Sequence, residues 1–165
     1  TGCFKKGSVM MLYARDLEEE LIVDKYLVDV TRRKMNYIEE EHYIYGVKIP
    51  EHFLSIFQGK QLVLTKGFGR KNHSIILNIF IEPEWENFEK RLNALPVSSD
   101  LTARRIAYFF QGSAQDSELT DDDSIAVMDH LIDAAGITDD QCLFLVIRQE
   151  DEIRFSICRK DLFEE

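Results

Sequence analysis

The sequence predicts an α+β fold: a mostly antiparallel sheet with three or four helices and a C-terminal β-hairpin. Three observations lead there. The first half carries runs of β-branched and aromatic residues parted by charged or glycine-containing stretches, the middle of the second half carries apolar residues at spacings of three and four, and the last segment returns to strand-like sequence. Strand and helix patterns do not alternate regularly, which argues against a doubly wound sheet. At 165 residues one core can bury most of the surface, so a single domain is expected over residues 8–165. No internal repeat is visible in the sequence.

Strands are predicted over residues 8–13, 21–31, 42–49, 61–66 and 74–81, arranged as an antiparallel meander. In the third of these, Tyr43, Tyr45, Val47 and Ile49 share one parity, as a half-buried strand requires. A short helix over 50–58 interrupts, with Pro50 in its first turn and Gly59 as terminator. Pro83 opens a longer helix whose Trp85, Phe88, Leu92 and Leu95 form an apolar stripe. Ser99 or Asp100 caps a second that runs to Gln111 and ends at Gly112. Thr120 is expected to cap a third, with Asp121, Asp122 and Asp123 in its first turn, Ile125, Met128, Leu131, Ile132 and Ala135 facing inward, and Gly136 as stop. Residues 112–120 read as the mobile loop of the chain.

The closing hairpin covers residues 142–159. An odd-length connection centred on Glu150 would set Cys142 opposite Cys158 and permit a disulfide, whereas a two-residue connection would put them one step out of register. The sequence leaves both open.

Charge is unevenly distributed. The chain has 20 Lys plus Arg against 30 Asp plus Glu, a net of -10. Residues 1–82 hold 12 basic and 11 acidic side chains, and residues 83–165 hold 8 and 19. Between Gln111 and Ile147 there is no Lys or Arg. Nucleic acids and anionic membranes bind through clustered cations, so this balance predicts no nucleic-acid partner and favours a basic protein. Asp121, Asp122, Asp123, Asp129, Asp133, Asp139 and Asp140 are the candidate partner-binding residues, with Asp122, Asp129 and Asp133 expected near one polar face of the third helix.

Other candidate sites are weaker. Glu39-Glu40-Glu41-His42 matches neither zinc-protease pattern. The triplet at Asp121 lacks the alternating acids and terminal Glu of an EF-hand loop, its twelfth residue being Ile132. No metal or cofactor is therefore expected. Lys66-Gly-Phe-Gly-Arg-Lys71 reads as a hairpin loop and a secondary partner surface, and Arg32-Arg33-Lys34 as a solvated connection. Ser55, Ser74 and Ser124 lack a nucleophile elbow, and His42, His52, His73 and His130 are scattered, so the expectation is a protein that is not an enzyme.

The chain opens Thr1-Gly2-Cys3, which resembles the end of a bacterial lipobox. By that resemblance Cys3 is the lipidated residue, residues 1–7 form a tether after a removed signal peptide, and a lipid anchor is the sole membrane contact. A small, acidic domain behind such a start resembles the periplasmic lipoprotein immunity proteins paired with type VI secretion effectors. The resemblance implies a membrane-anchored periplasmic protein that neutralises a toxin such as a lipase or cell-wall hydrolase. The alternatives are an envelope lipoprotein that binds a small ligand or serves an assembly, and a cytoplasmic protein with an arbitrary boundary at Thr1.

Overall fold

A computed structural model describes residues 22–34, 43–68, 74–149 and 152–163. Eight strands and four helices follow one another along these segments. The strands are β1 (Ile22–Lys34), β2 (Tyr43–Lys48), β3 (Leu62–Phe68), β4 (Ile75–Ile81), β5 (Gln115–Ser117), β6 (Ser124–Met128), β7 (Gln141–Gln149) and β8 (Glu152–Arg159). The helices are α1 (Leu54–Phe57), led in by a 3-10 turn over Glu51–Phe53, α2 (Glu82–Asn93), α3 (Leu101–Gln111) and α4 (Asp129–Ala134). The predicted strand over 8–13, the tether and His42 and His73 lie outside the described residues.

The strands form one antiparallel sheet in the order β5-β3-β4-β8-β7-β1-β2-β6. Its two outermost strands, β5 and β6, are consecutive in the chain, and they meet. Leu119 bridges Ile125, Met128 N donates to Gln115 Oε1 at 2.9 Å, and Gln115 Nε2 and Ser117 Oγ donate to Ala126 O at 3.3 and 2.6 Å. The sheet therefore curls into a barrel whose last seam is sewn largely by side chains. The expected meander holds only for the pairs β1–β2 and β3–β4, because β2 turns aside to pair with β6 and β3 with β5.

This order contains a repeat that the sequence hides. The succession β1-β2-α1-β3-β4 is answered by β5-β6-α4-β7-β8, and exchanging the two sets preserves every ladder except β1–β2, which is answered at β5–β6 by an isolated bridge and side-chain bonds. The pair β1–β7 becomes β5–β3, β3–β4 becomes β7–β8, and β2–β6 and β4–β8 map onto themselves. Gly46 opposite Ala126 and Asn78 opposite Ser156 sit where the two halves cross. Both short helices stop at a glycine in the left-handed region, Gly59 at φ 70° and Gly136 at φ 67°, a conformation that costs other residues steric strain. Because β2 and β6 are antiparallel and each feeds its helix, α1 and α4 close opposite ends of the barrel.

Strand parity separates the barrel interior from two outer clusters. Val28, Val30, Val47, Leu62, Leu64, Leu77, Ile79, Val127, Phe144 and Ile157 face the interior, where Phe57 of α1 and Leu131 and Ile132 of α4 join them. Outside, α2 and α3 lie over β3 and β4. Trp85, Phe88 and Leu92 of α2 meet Ala103, Ile106, Ala107 and Phe110 of α3 across Val63 and Phe80. The Phe88 ring stacks on Phe80 at 5.2 Å and meets Phe110 edge-on at 4.9 Å. Each such ring, taken fully from water, contributes about 1.5–3 kcal/mol. Asp100 caps α3 by accepting from Ala103 N at 3.1 Å, as the sequence suggests.

Three expectations are corrected. Residues 120–128 are not the start of a helix: Thr120–Asp123 form the turn of the β5–β6 hairpin, with Asp123 N donating to Thr120 O at 3.1 Å and Asp123 itself at φ 61°. The alternation of Ser124, Ile125, Ala126, Val127 and Met128 is strand periodicity, and helix begins only at Asp129. Residues 112–120 are not a free loop, since they contain β5 and the bonded Ser113. Arg32 and Arg33 belong to β1 rather than to a connection.

The closing hairpin pairs Gln149 with Glu152, leaving two residues between the strands. Cys142 accordingly pairs with Arg159, and Leu143 with Cys158. The two thiols point to opposite faces, Cys142 into the barrel and Cys158 into the outer cluster with Ile76, Leu145, Ile147 and Leu162. Both are free, so the pairing of Cys142 with Cys158 is set aside. Burial pushes both thiols up, that of Cys158 to about 12, which keeps them protonated and unreactive.

Candidate functional site

The acidic residues do not gather into one face. Asp121, Asp122 and Asp123 sit on the β5–β6 turn, Asp129 and Asp133 on α4, and Asp139 and Asp140 on the approach to β7. Several are engaged by the chain itself. The Asp122 carboxylate accepts from Thr120 Oγ1 and from Arg33, Lys48 Nζ reaches Asp122 O at 2.6 Å, and Lys160 Nζ lies 3.5 Å from Asp139. The Thr120 hydroxyl, aided by Arg33 and Lys48, holds the Asp122 carboxyl below the usual aspartate range. Exposed pairs of this kind contribute roughly 0–1 kcal/mol and serve mainly to fix the turn.

A polar chain built on Tyr26 was invisible in the sequence. Tyr26 Oη donates to Asp24 Oδ2 at 2.8 Å and lies 3.1 Å from His52 Nε2, and the His52 ring packs on Phe53 at 4.0 Å between centroids. Hydrogen bonding to Asp24 raises the Tyr26 phenol above its ordinary value. A phenol that donates to a carboxylate is poorly placed to ionise, so this chain anchors the 3-10 turn to β1. Among the described residues, no group of three or more His, Cys, Asp or Glu could hold a metal ion.

The most site-like feature is a groove of about 470 Å³ between α3, the end of β3 and α4. Its walls include Lys66, Arg104, Arg105, Tyr108, Phe109 and His130, with Gly112 and Ser113 at its floor. Helical spacing sets Arg104 above Tyr108 and Arg105 above Phe109. Tyr108 is 78% exposed, unusual for so large a ring. Arg104 Nε donates to Val97 O at 2.9 Å, which holds that side chain in place. Ser113 Oγ accepts from Lys66 N at 2.9 Å and shares its proton between Phe109 O at 2.8 Å and Phe110 O at 3.2 Å, covering the last carbonyls of α3. His130, an exposed residue of α4, borders this basic groove. Sequence reading singled out Lys66 as part of a secondary partner surface but did not join it to the Arg104-Arg105 pair, which is distant in the chain. The one signal was two adjacent arginines on the exposed side of a helix, just before the stretch without cations.

No family model matches the chain. Curated proteins do: two named Transcriptional regulator MraZ, from Acidovorax sp. (strain JS42) and Acidovorax ebreus (strain TPSY), are each 35% identical over 85 residues, 52% of this chain and 54% of theirs. A third of the same name, from Variovorax paradoxus (strain S110), is 37% identical over 90 residues, 54% of this chain and 57% of its own. The chain thus spans about half the length of the curated relatives it matches. These similarities overturn the reading as a periplasmic lipoprotein immunity protein of a type VI effector, together with its toxin partner and its exclusion of nucleic acid. That reading rested on acidity and on Thr1-Gly2-Cys3, which lies outside the described residues, and none of these three relatives supports it.

Proposed function

We propose that the protein is a transcriptional regulator that works by contact with DNA, in the cytoplasm and without a catalytic step. The observation that carries this reading is 35–37% identity over 85–90 residues to proteins named as transcriptional regulators. The basic groove supports it by providing cations on a chain whose total charge is negative. Net charge is a sum over the whole surface, while a polyanion meets one face, so -10 overall does not forbid a local phosphate contact.

The test is recovery of sheared genomic DNA on the purified full-length chain, with sequencing of the retained fragments and measurement of transcripts after deletion of the gene. Enrichment of a small set of fragments beside genes whose transcripts change is the expected result. Uniform retention with unaltered transcripts would overturn the proposal.

A further inference from the structure

Outside the groove, four cations of the described residues lie near carboxylates, while Lys25 and Arg32 lie over the rings of Phe163 and Tyr43. Arg33 meets Asp122, Arg154 lies 3.9 Å from Glu152, Arg159 lies 3.1 Å from Asp161 and Lys160 lies 3.5 Å from Asp139. In a protein with a surplus of acids, that is the expected outcome. What sets Lys66, Arg104 and Arg105 apart is convergence: they line one concavity whose described residues include no carboxylate, and among the described residues none of the three is ion-paired.

From this we infer that the groove between α3, the end of β3 and α4 is the surface on which the protein seats the phosphate backbone of duplex DNA. The inference rests on the proposed regulatory function and assigns residues to it. Lys66 and Arg105 supply charge from two sides. Arg104 is held by Val97 O through one of its five guanidinium donors, a preorganised fork of the kind that suits a phosphate. Tyr108, at the rim, offers a hydroxyl to a neighbouring phosphate oxygen. Contacts of this type position a protein on DNA and carry no base sequence by themselves. Sequence choice would have to come from another surface.

The experiment is a salt titration of binding to a labelled mixed-sequence DNA duplex. It compares the full-length chain with Lys66→Gln/Arg105→Gln and with Lys90→Gln/Arg91→Gln, which makes the same charge change on α2. Removal of one cation from a phosphate lowers the slope of log affinity against log salt by about 0.9, so the groove variant should fall by about 1.8 and bind about tenfold or more weakly at low salt. The α2 variant should follow the parent. Thermal melting checks that all three are folded, and Tyr108→Phe provides a smaller perturbation that leaves charge untouched. Binding by the parent with an equal response from both double variants would overturn the groove assignment while leaving a DNA-binding regulator intact. No binding by the parent at low salt would overturn both.

Discussion

Asn78 shows how closely single residues are constrained where the two halves cross. It is buried between β3 and β8, and Ser156 Oγ donates to its Oδ1 at 3.1 Å. Gly67, opposite Ile76 on β3, leaves the space this amide needs: a Cβ there would come within 2.6 Å of Asn78 Nδ2 and 2.9 Å of its Cγ and Oδ1. Gly67→Ala should therefore destabilise the fold by about 1–3 kcal/mol, the usual cost of overpacking, read as a lower denaturation midpoint. Combining it with Asn78→Ala should recover part of that stability. Strict additivity of the two changes would refute the steric account. The sequence showed Gly67 only as one of two glycines in a basic turn. Its role depends on a strand neighbour eleven residues away, and the Asn78–Ser156 hydrogen bond spans 78 residues, so local periodicity could not reveal either.

At the scale of elements, closure of the sheet depends on β5 and β6, which are short. Gln115 bridges them with both ends of its amide, so Gln115→Ala leaves Met128 N short of this partner, while Ala126 O keeps the bond from Ser117 Oγ. A destabilisation of about 1–3 kcal/mol is expected, with faster hydrogen exchange confined to β6 and its neighbours. An unchanged midpoint would mean that the seam is held by other contacts. The same elements mark the limit of what was legible in the sequence. α2 and α3 were plain because a stripe of Trp85, Phe88, Leu92 and a capping Asp100 speak for helix by themselves. β6 was mistaken for the start of a helix because Ile125 and Met128 also fit a spacing of three, and Asp121-Asp122-Asp123 resembles a helical first turn. What decides for strand is pairing with β2, a partner about 80 positions earlier. The candidate groove was illegible for a related reason: its cations come from β3 and α3, and only the way α3 lies against the barrel brings them together.

Over the whole molecule, the pairings run between halves more than within them. β2 pairs with β6, β3 with β5, β1 with β7 and β4 with β8, so neither half can satisfy its own strands. Cleavage in the connection between α2 and α3, at an engineered protease site within residues 96–99, should leave two pieces that migrate as one species in gel filtration and part only in denaturant. Pieces that separate under native conditions would show that the covalent link, rather than the pairing, holds the barrel together. The net charge of -10 also looks different at this scale. Much of the acid is dispersed over turns at several places on the surface, several of them occupied by the chain's own cations, and one basic concavity remains.

The exchangeability of the two halves reaches beyond this chain. A set of pairings that swapping its halves leaves unchanged, save for the β5–β6 seam, can be met by two identical copies of one half, each lending its strands to the other. α2 and α3, which join the halves, would then be the device that turns a pair of small subunits into one gene product. Once joined, the copies are released from sameness, and each side can acquire a surface of its own. Lys66 on one side, and the carboxylates of the β5–β6 turn on the other, are what such divergence would leave behind.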